Sequence, residues 1–331
     1  MRGDSVGRAR WVRRWKFGVL ALGLAGCEGS GPDQLVNVSA RGVVGGFAFF
    51  DANGNASFDP LLDPPQSGIR VIVMPRGSRD TVARGTSGLD GTYRVPGIPV
   101  GDYVAVVDTP TVGDSVRVVR LDSGSFTLGP GDSTTIVVGV AFPAVSVAEL
   151  RLLSAGARVF LSGKTVTEPT TFGDSTVHLA DATGTIRATR VPLGILLIGD
   201  SVRMFGIRGA RDGQPTLDNV AVFPLSPPLG SVVPEVVTTA AADTADGGRL
   251  DAALVRVSDA LIADTATVGD DYIATVDDGS GPLNVVFDGD AALTISPYVP
   301  GVRMIVTGVL VPTGAGTWRL KPRINNDVVL Q

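Results

Sequence analysis

The sequence predicts an all-β protein, a Greek-key β-sandwich followed by two small β-barrels, and three observations carry that reading. Glycine (43) and proline (22) are plentiful in 331 residues of which 44% are apolar. That balance suits many short strands joined by tight turns better than long helices. Short apolar runs also recur between turn residues along the whole chain after its first segment, as strands do. Lastly, the back half repeats itself. Gly173-Asp174-Ser175-Thr176-Val177-His178-Leu179-Ala180-Asp181 returns 96 positions later as Gly269-Asp270-Asp271-Tyr272-Ile273-Ala274-Thr275-Val276-Asp277. Each copy is followed by a glycine turn, a second apolar strand and a matching triplet, Val202-Arg203-Met204 or Val302-Arg303-Met304. One β module is used twice.

Taken in order, the chain opens on a segment that reads as an export signal rather than as fold. Basic residues Arg8, Arg10, Arg13, Arg14 and Lys16 precede an apolar run over 17–25, too short to cross a bilayer as a permanent helix. It ends in Leu24-Ala25-Gly26-Cys27, which resembles a bacterial lipobox. The resemblance implies a signal peptide over 1–27, lipidation of Cys27 and a membrane contact through that anchor. An ordinary secretory signal with an incidental cysteine is the alternative. Glu28 stands where, in related bacterial signals, an aspartate favours retention at the inner membrane, so outer-membrane or cell-surface placement is expected. Residues 28–37 are rich in Gly, Ser and Pro and form a flexible tether.

Residues 38–142 carry seven strand patterns, at 43–50, 69–74, 81–86, 92–95, 103–107, 116–121 and 134–140, the spacing of a sandwich. Asp51, Asn53, Asn55, Ser57 and Asp59 sit at alternate positions, with Asp63 beyond. This is the ligand spacing of a calcium loop, and calcium is the one cofactor the sequence suggests. Ala56 stands where such loops have glycine and Leu62 where they have glutamate. The same residues also make a good turn without metal. This loop, with Gly46 to Phe50 before it, and the later motif Thr86-Ser87-Gly88-Leu89-Asp90-Gly91-Thr92-Tyr93-Arg94-Val95 followed by Ile98-Pro99-Val100-Gly101-Asp102-Tyr103, are similar to two related groups. These are the B-type domain of serine-aspartate-repeat surface adhesins and the carboxypeptidase-regulatory-like, prealbumin-like sandwiches. The domain holds no lysine, which excludes the Lys-Asn cross-link of some relatives. An adhesive role follows by analogy of fold alone.

Residues 144–223 read as a five-stranded barrel (159–167, 176–179, 185–189, 202–209, 219–223) and 249–331 as its repeat (254–263, 272–277, 283–287, 302–311, 317–323). The Pro-containing, Ala/Thr/Asp-rich stretch 224–248 reads as a linker between them. The order, with Gly163-Lys164-Thr165-Val166-Thr167, Ala180-Asp181-Ala182-Thr183-Gly184 and Val306-Thr307-Gly308-Val309-Leu310, is similar to the OB-fold modules attached to secreted bacterial proteins. That resemblance implies an oligonucleotide or oligosaccharide ligand on the face of strands two and three. Charge separates the copies: 151–223 has eight basic against six acidic residues, and 235–331 has six against thirteen. The second copy should repel nucleic acid. In the first, Arg187, Arg190, Arg208 and Arg211 with Phe172 and Phe205 are the candidate ligand contacts, an ordinary solvated surface being the alternative.

The net charge is −5, and one cysteine (Cys27) and one histidine (His178) rule out a disulfide framework and a Cys/His zinc site. Gly-Asp-Ser occurs at 113–115, 131–133, 173–175 and 199–201. It is similar to the motif of GDS-type esterases, but each instance precedes an apolar strand, where it makes a turn. His178 lies inside a strand pattern, as a sheet-face residue. No catalytic residue is assigned. The expected protein is a non-catalytic, lipid-anchored, monomeric surface binder or scaffold for an unidentified protein, glycan or oligonucleotide. Two alternatives stand beside it: an OB-mediated binder accessory to a secreted enzyme, and a hydrolase whose site is unrecognised.

Overall fold

A computed structural model describes residues 40–122, 124–194, 196–226 and 230–331. The expected signal peptide, Cys27 and the tether lie outside the described residues. Among the described residues no helix is long and apolar enough to cross a membrane.

The sandwich has eight strands: β1 (Arg41–Phe50), β2 (Arg70–Pro75), β3 (Ala83–Thr86), β4 (Thr92–Pro99), β5 (Gly101–Val107), β6 (Arg117–Leu121), β7 (Ser125–Leu128) and β8 (Ser133–Ala141). They form two sheets, ordered β4-β1-β8-β6 and β3-β2-β5-β7. Inward residues alternate along each strand, Val71 and Val73 on β2 facing Ile136, Val138 and Val140 on β8 in one core. Glycine is needed at Gly46, where φ is +156° and an added Cβ would meet the Ile136 carbonyl at 1.8 Å. Strand β7, which the sequence pattern does not reveal, buries only Phe126 and Leu128, too little alternation to stand out beside its turn.

The first barrel comprises β9 (Ala144–Val145), α1 (Val147–Leu152), β10 (Arg158–Thr165), β11 (Val177–Asp181), β12 (Gly184–Ala188), β13 (Ser201–Arg211) and β14 (Gln214–Pro224). Strand β10 pairs with both β11 and β13, which closes the sheet, while β12 runs parallel to β14. With β10 to β14 as strands one to five, the order is one-two-three-five-four-one. The second barrel comprises β15 (Glu235–Val236), α2 (Thr239–Asp243), β16 (Leu254–Val268), β17 (Asp271–Asp277), β18 (Pro282–Phe287), β19 (Arg303–Pro312), β20 (Trp318–Lys321) and β21 (Val328–Leu330). It closes through β16 and β19, with β18 parallel to β20. Both are OB-type barrels, and the protein is all-β as the sequence predicts.

Each barrel has a short α-helix ahead of strand one, and between strands three and four the second has a single 3-10 turn at Gly289–Ala291. Ser146 caps α1 and Thr238 caps α2, and the turn joining strands two and three holds each helix start. Asp181 accepts from the Val147 N–H and Thr183 from the Ala148 N–H; Asp278 accepts from the Thr239 N–H and Ser280 from the Ala240 N–H. The stretch read as a linker therefore contains β15 and α2. Its alanines Ala242 and Ala245 are fully buried in the second core, because small side chains let the helix lie close on the barrel.

These turns also correct the register of the repeat. Asp181-Ala182-Thr183-Gly184 matches Asp278-Gly279-Ser280-Gly281, an offset of 97 rather than 96. The cross-strand pairs agree, since His178↔Arg187 falls on Thr275↔Asn284. At 96 the outward His178 would align with Ala274, which points into the core. A slip of one residue exchanges the two faces of a strand.

Candidate functional site between the barrels

Val177, Leu179, Ile186 and Ala188 point into the first core. Alternation therefore sends Thr176, His178, Arg187 and Thr189 to the outer face of strands two and three. On an isolated barrel that face would be wet. Here it is covered: Val166, Phe172 and Ala180 pack with Leu254 and Val309 of the second barrel. The Arg323 Nη1 donates to the Val166 carbonyl (2.9 Å) and the Arg151 Nη2 to the Asp251 carbonyl (2.8 Å). The closure is incomplete and leaves a cavity of about 310 Å³.

Phe172, Thr176, His178, Arg187, Thr189 and Lys321 form its buried walls, with Arg319 half-buried beside them. Asp174, Arg211, Asp212 and Thr313 stand exposed at its mouth. Arg211 and Asp212 owe that position to a two-residue turn between β13 and β14 in which Asp212 (φ +54°) and Gly213 (φ +75°) are both left-handed, the geometry that suits hairpin twist. Arg187, only 4% exposed, donates to Asp212 Oδ2 (3.1 Å) and to the Arg211 carbonyl (2.8 Å). Lys321 is ion-paired with Asp288 and lies 4.5 Å from the centre of the Phe172 ring.

His178 is 1% exposed. Its backbone N–H donates to Thr167 Oγ1 (2.9 Å), and its Nδ1 lies 3.1 Å from the same oxygen. With that hydroxyl donating to Nδ1, the ring proton resides on Nε2. Burial, reinforced by the Arg187, Lys321 and Arg323 cations, pushes the imidazole down to about 3, so the ring is neutral in ordinary buffers.

Of the residues read from sequence as ligand contacts, Arg187, Arg211 and Phe172 meet at this cavity. Arg190 and Arg208 are not among its lining. Arg190 is exposed in a left-handed turn (φ +58°), and Arg208 lies half-buried on β13. Phe205 is not a free stacking platform: it stacks on Phe142 (5.2 Å between ring centres) and leans on Phe160. Phe160 in turn lies under Gly54 of the sandwich, where an added Cβ would sit 3.0 Å from the ring. The open face expected for an oligonucleotide or oligosaccharide is thus occupied by the second barrel. Sequence reasoning does not pick out Thr176, Thr189, Arg319 or Lys321 and sets His178 aside. The alternation Thr176-Val177-His178-Leu179 marks the outward positions, but nothing local marks what covers them.

The loop read as a calcium site is held by its own hydrogen bonds. Asp51, fully buried, accepts from the Asn55 N–H (3.1 Å) and the Ala56 N–H (2.7 Å). Asp63 accepts from the Ala52 N–H (2.9 Å) and the Asp59 N–H (2.7 Å). Asn53, Asn55 and Asp59 likewise accept from the N–H groups of Asn55, Ser57 and Leu61. Among the described residues no three His, Cys, Asp or Glu side chains group to hold a metal. These hydrogen bonds make a turn that closes on itself without metal. The Gly-Asp-Ser motifs are turns too, with Gly113, Gly131, Gly173 and Gly199 all left-handed (φ +68° to +92°).

No known protein family and no curated protein matches the chain. Among solved structures it is similar to a minor pilin of Streptococcus agalactiae, at 13% identity over 31% of this chain and 45% of the pilin, with a TM-score of 0.23. It is also similar to a murine DNA-binding protein bound to double-stranded DNA (9% identity, 52% of this chain, 97% of that one, TM-score 0.30). A fission yeast protein solved with single-stranded DNA is a third (11%, 57%, 87%, TM-score 0.28). The chain spans less than half the length of the pilin, and at these values the likenesses carry no argument about function.

Proposed function

We propose that this is a non-catalytic binding protein of the cell surface whose ligand seat is the pocket between its two barrels. The observation that carries the reading is the docking of the second barrel on strands two and three of the first, which leaves a small polar cavity lined from both. A seat built from two modules binds a compact ligand and holds the modules together. Surface placement rests on the lipobox-like Leu24-Ala25-Gly26-Cys27.

The absence of catalysis in this reading rests on His178. A general base works best with a pKa near the operating pH, and this imidazole is pushed down to about 3. Its hydroxyl partner Thr167 is fully buried and does not line the cavity. The test is a thermal-shift screen of the full chain against small acids, sugars and short oligonucleotides. The expected result is a compact ligand whose stabilisation disappears in Thr313→Trp, which plugs the mouth from an exposed position. Binding of a long oligonucleotide or glycan, undiminished in Thr313→Trp, would overturn the reading.

A further inference from the structure

Resting on that binding reading, we propose that the pocket is an oxyanion site, seating a carboxylate, sulfate or phosphate group of a small ligand. Four side-chain atoms on its walls are buried without a hydrogen-bond partner: Thr176 Oγ1, His178 Nε2, Arg187 Nε and Arg319 Nε. The two arginine nitrogens can only donate. So does His178 Nε2 when Nδ1 accepts the hydrogen bond from the Thr167 hydroxyl, and Thr176 can turn its proton either way. Buried donors left unmet on one cavity call for a ligand that accepts. An unmet buried donor carries its full desolvation cost.

Charge points the same way. Four cations, Arg187, Arg211, Arg319 and Lys321, line the cavity against two carboxylates, Asp174 and Asp212. Asp212 is engaged by Arg187 and Lys321 by Asp288. Among the described residues neither Arg211 nor Arg319 has an ion pair, so one guanidinium at the mouth and one on the wall are left without a carboxylate partner. A guanidinium presents a planar fork that matches an oxyanion. Space sets the rest: about 310 Å³ lies at the small end of ligand pockets. It admits a single acidic group with a sugar-sized body and no polymer strand. The acid is either a free small molecule or the end group of a longer chain.

The experiment is calorimetric titration of the full chain, at fixed ionic strength, with sulfate, inorganic phosphate and glucuronate, with glucose as the uncharged control. A glucuronate-terminated oligosaccharide forms the arm that separates an end group from a free acid. The expected result is saturable one-site binding of at least one oxyanion. Arg319→Met and the exposed Arg211→Met should each weaken it about tenfold, the effect of losing one charge-assisted hydrogen bond, while the exposed Arg94→Met leaves it unchanged. Saturable heat with no oxyanion means a cavity filled by water and overturns the proposal, as does binding unaltered in both pocket variants. Glucose binding lost in Thr313→Trp would overturn the oxyanion assignment while leaving the interbarrel seat intact. Loss of fold in Arg319→Met cannot mask the answer, because Arg211 stands at the exposed mouth.

Discussion

The two barrels share a topology, a helix ahead of strand one and a capping turn, yet they treat the same face in opposite ways. In the first, Thr176, His178, Arg187 and Thr189 on strands two and three are buried under a neighbour. In the second, three of the four matching positions, Ile273, Thr275 and Asn284, stay partly or wholly exposed while the fourth, Val286, is buried, and Thr275 donates to Asn284 Oδ1 (3.0 Å) across the strands. Duplication therefore preserved the scaffold and divided the work. One copy contributes its sheet face, and the other contributes the end of strands four and five to cover it. A face that would bind a ligand in a single module became the joint of a pair, and ligand space survives only where the joint fails to close.

The comparison breaks most visibly at Lys321, the second barrel's charge placed against the first barrel's face. Lys321 and Asp288 are both nearly buried, and removing one partner of a buried pair leaves the other charged and unmet. Asp288→Ala is expected to lower stability by about 3–5 kcal/mol, measured by urea unfolding of the full chain. A loss below about 1 kcal/mol, the scale of an exposed pair, would mean that Lys321 reaches water and that the wall is looser than described.

A second effect singles out the first barrel, because His178 has Thr275 as its counterpart and only the former titrates. The folded imidazole sits at about 3 and the unfolded one near 6.5. Below about pH 6.5 the unfolded chain therefore binds a proton that the folded chain does not. Stability is highest above pH 6.5 and falls on acidification by up to about 1.4 kcal/mol per pH unit from this one group. Asp243 and Asp251, whose carboxyls burial pushes up, act in the opposite sense. The readout is thus the difference between wild type and His178→Gln from pH 6.5 to 5, and equal slopes would refute the buried neutral ring.

What is legible in the amino-acid sequence is what depends on near neighbours. The closed barrels, the places of their strands and the turn role of Gly-Asp-Ser follow from short-range pattern, because alternation and left-handed glycine are local properties. Arg187, Arg211 and Phe172 stand out through charge and the rarity of aromatics. Phe205 misleads, because an aromatic on a sheet face looks the same in sequence whether it meets a ligand or Phe142 of the neighbouring sandwich. Lys321 and Arg319 are out of reach for the same reason, lying over 130 positions from Arg187 in a domain whose acidic total hides two inward cations. The register slips by one because Gly-Asp recurs at 96 while the pleat, which decides faces, repeats at 97.

That last point yields the smallest effect and the cleanest comparison. If 97 is the true register, Asp181 and Asp278 perform one task in two places. Each closes the turn between strands two and three, through the Thr183 and Ser280 N–H groups, and each holds a helix start, at Val147 and Thr239. Losing such a cap costs about 1 kcal/mol. Asp278 also accepts from the Thr239 and Ser280 hydroxyls, and Asp181 from the Gly184 N–H and the Thr183 hydroxyl, so Asp278→Ala and Asp181→Ala should cost about the same. The neighbouring Asp277, which matches Asp181 at an offset of 96, accepts only from the Gly279 and Gly281 N–H groups within its own turn. Asp277→Ala should therefore leave α2 protected from amide hydrogen exchange, whereas Asp278→Ala exposes it as Asp181→Ala exposes α1. Exchange in α2 that follows Asp277 instead of Asp278 would restore the register of 96.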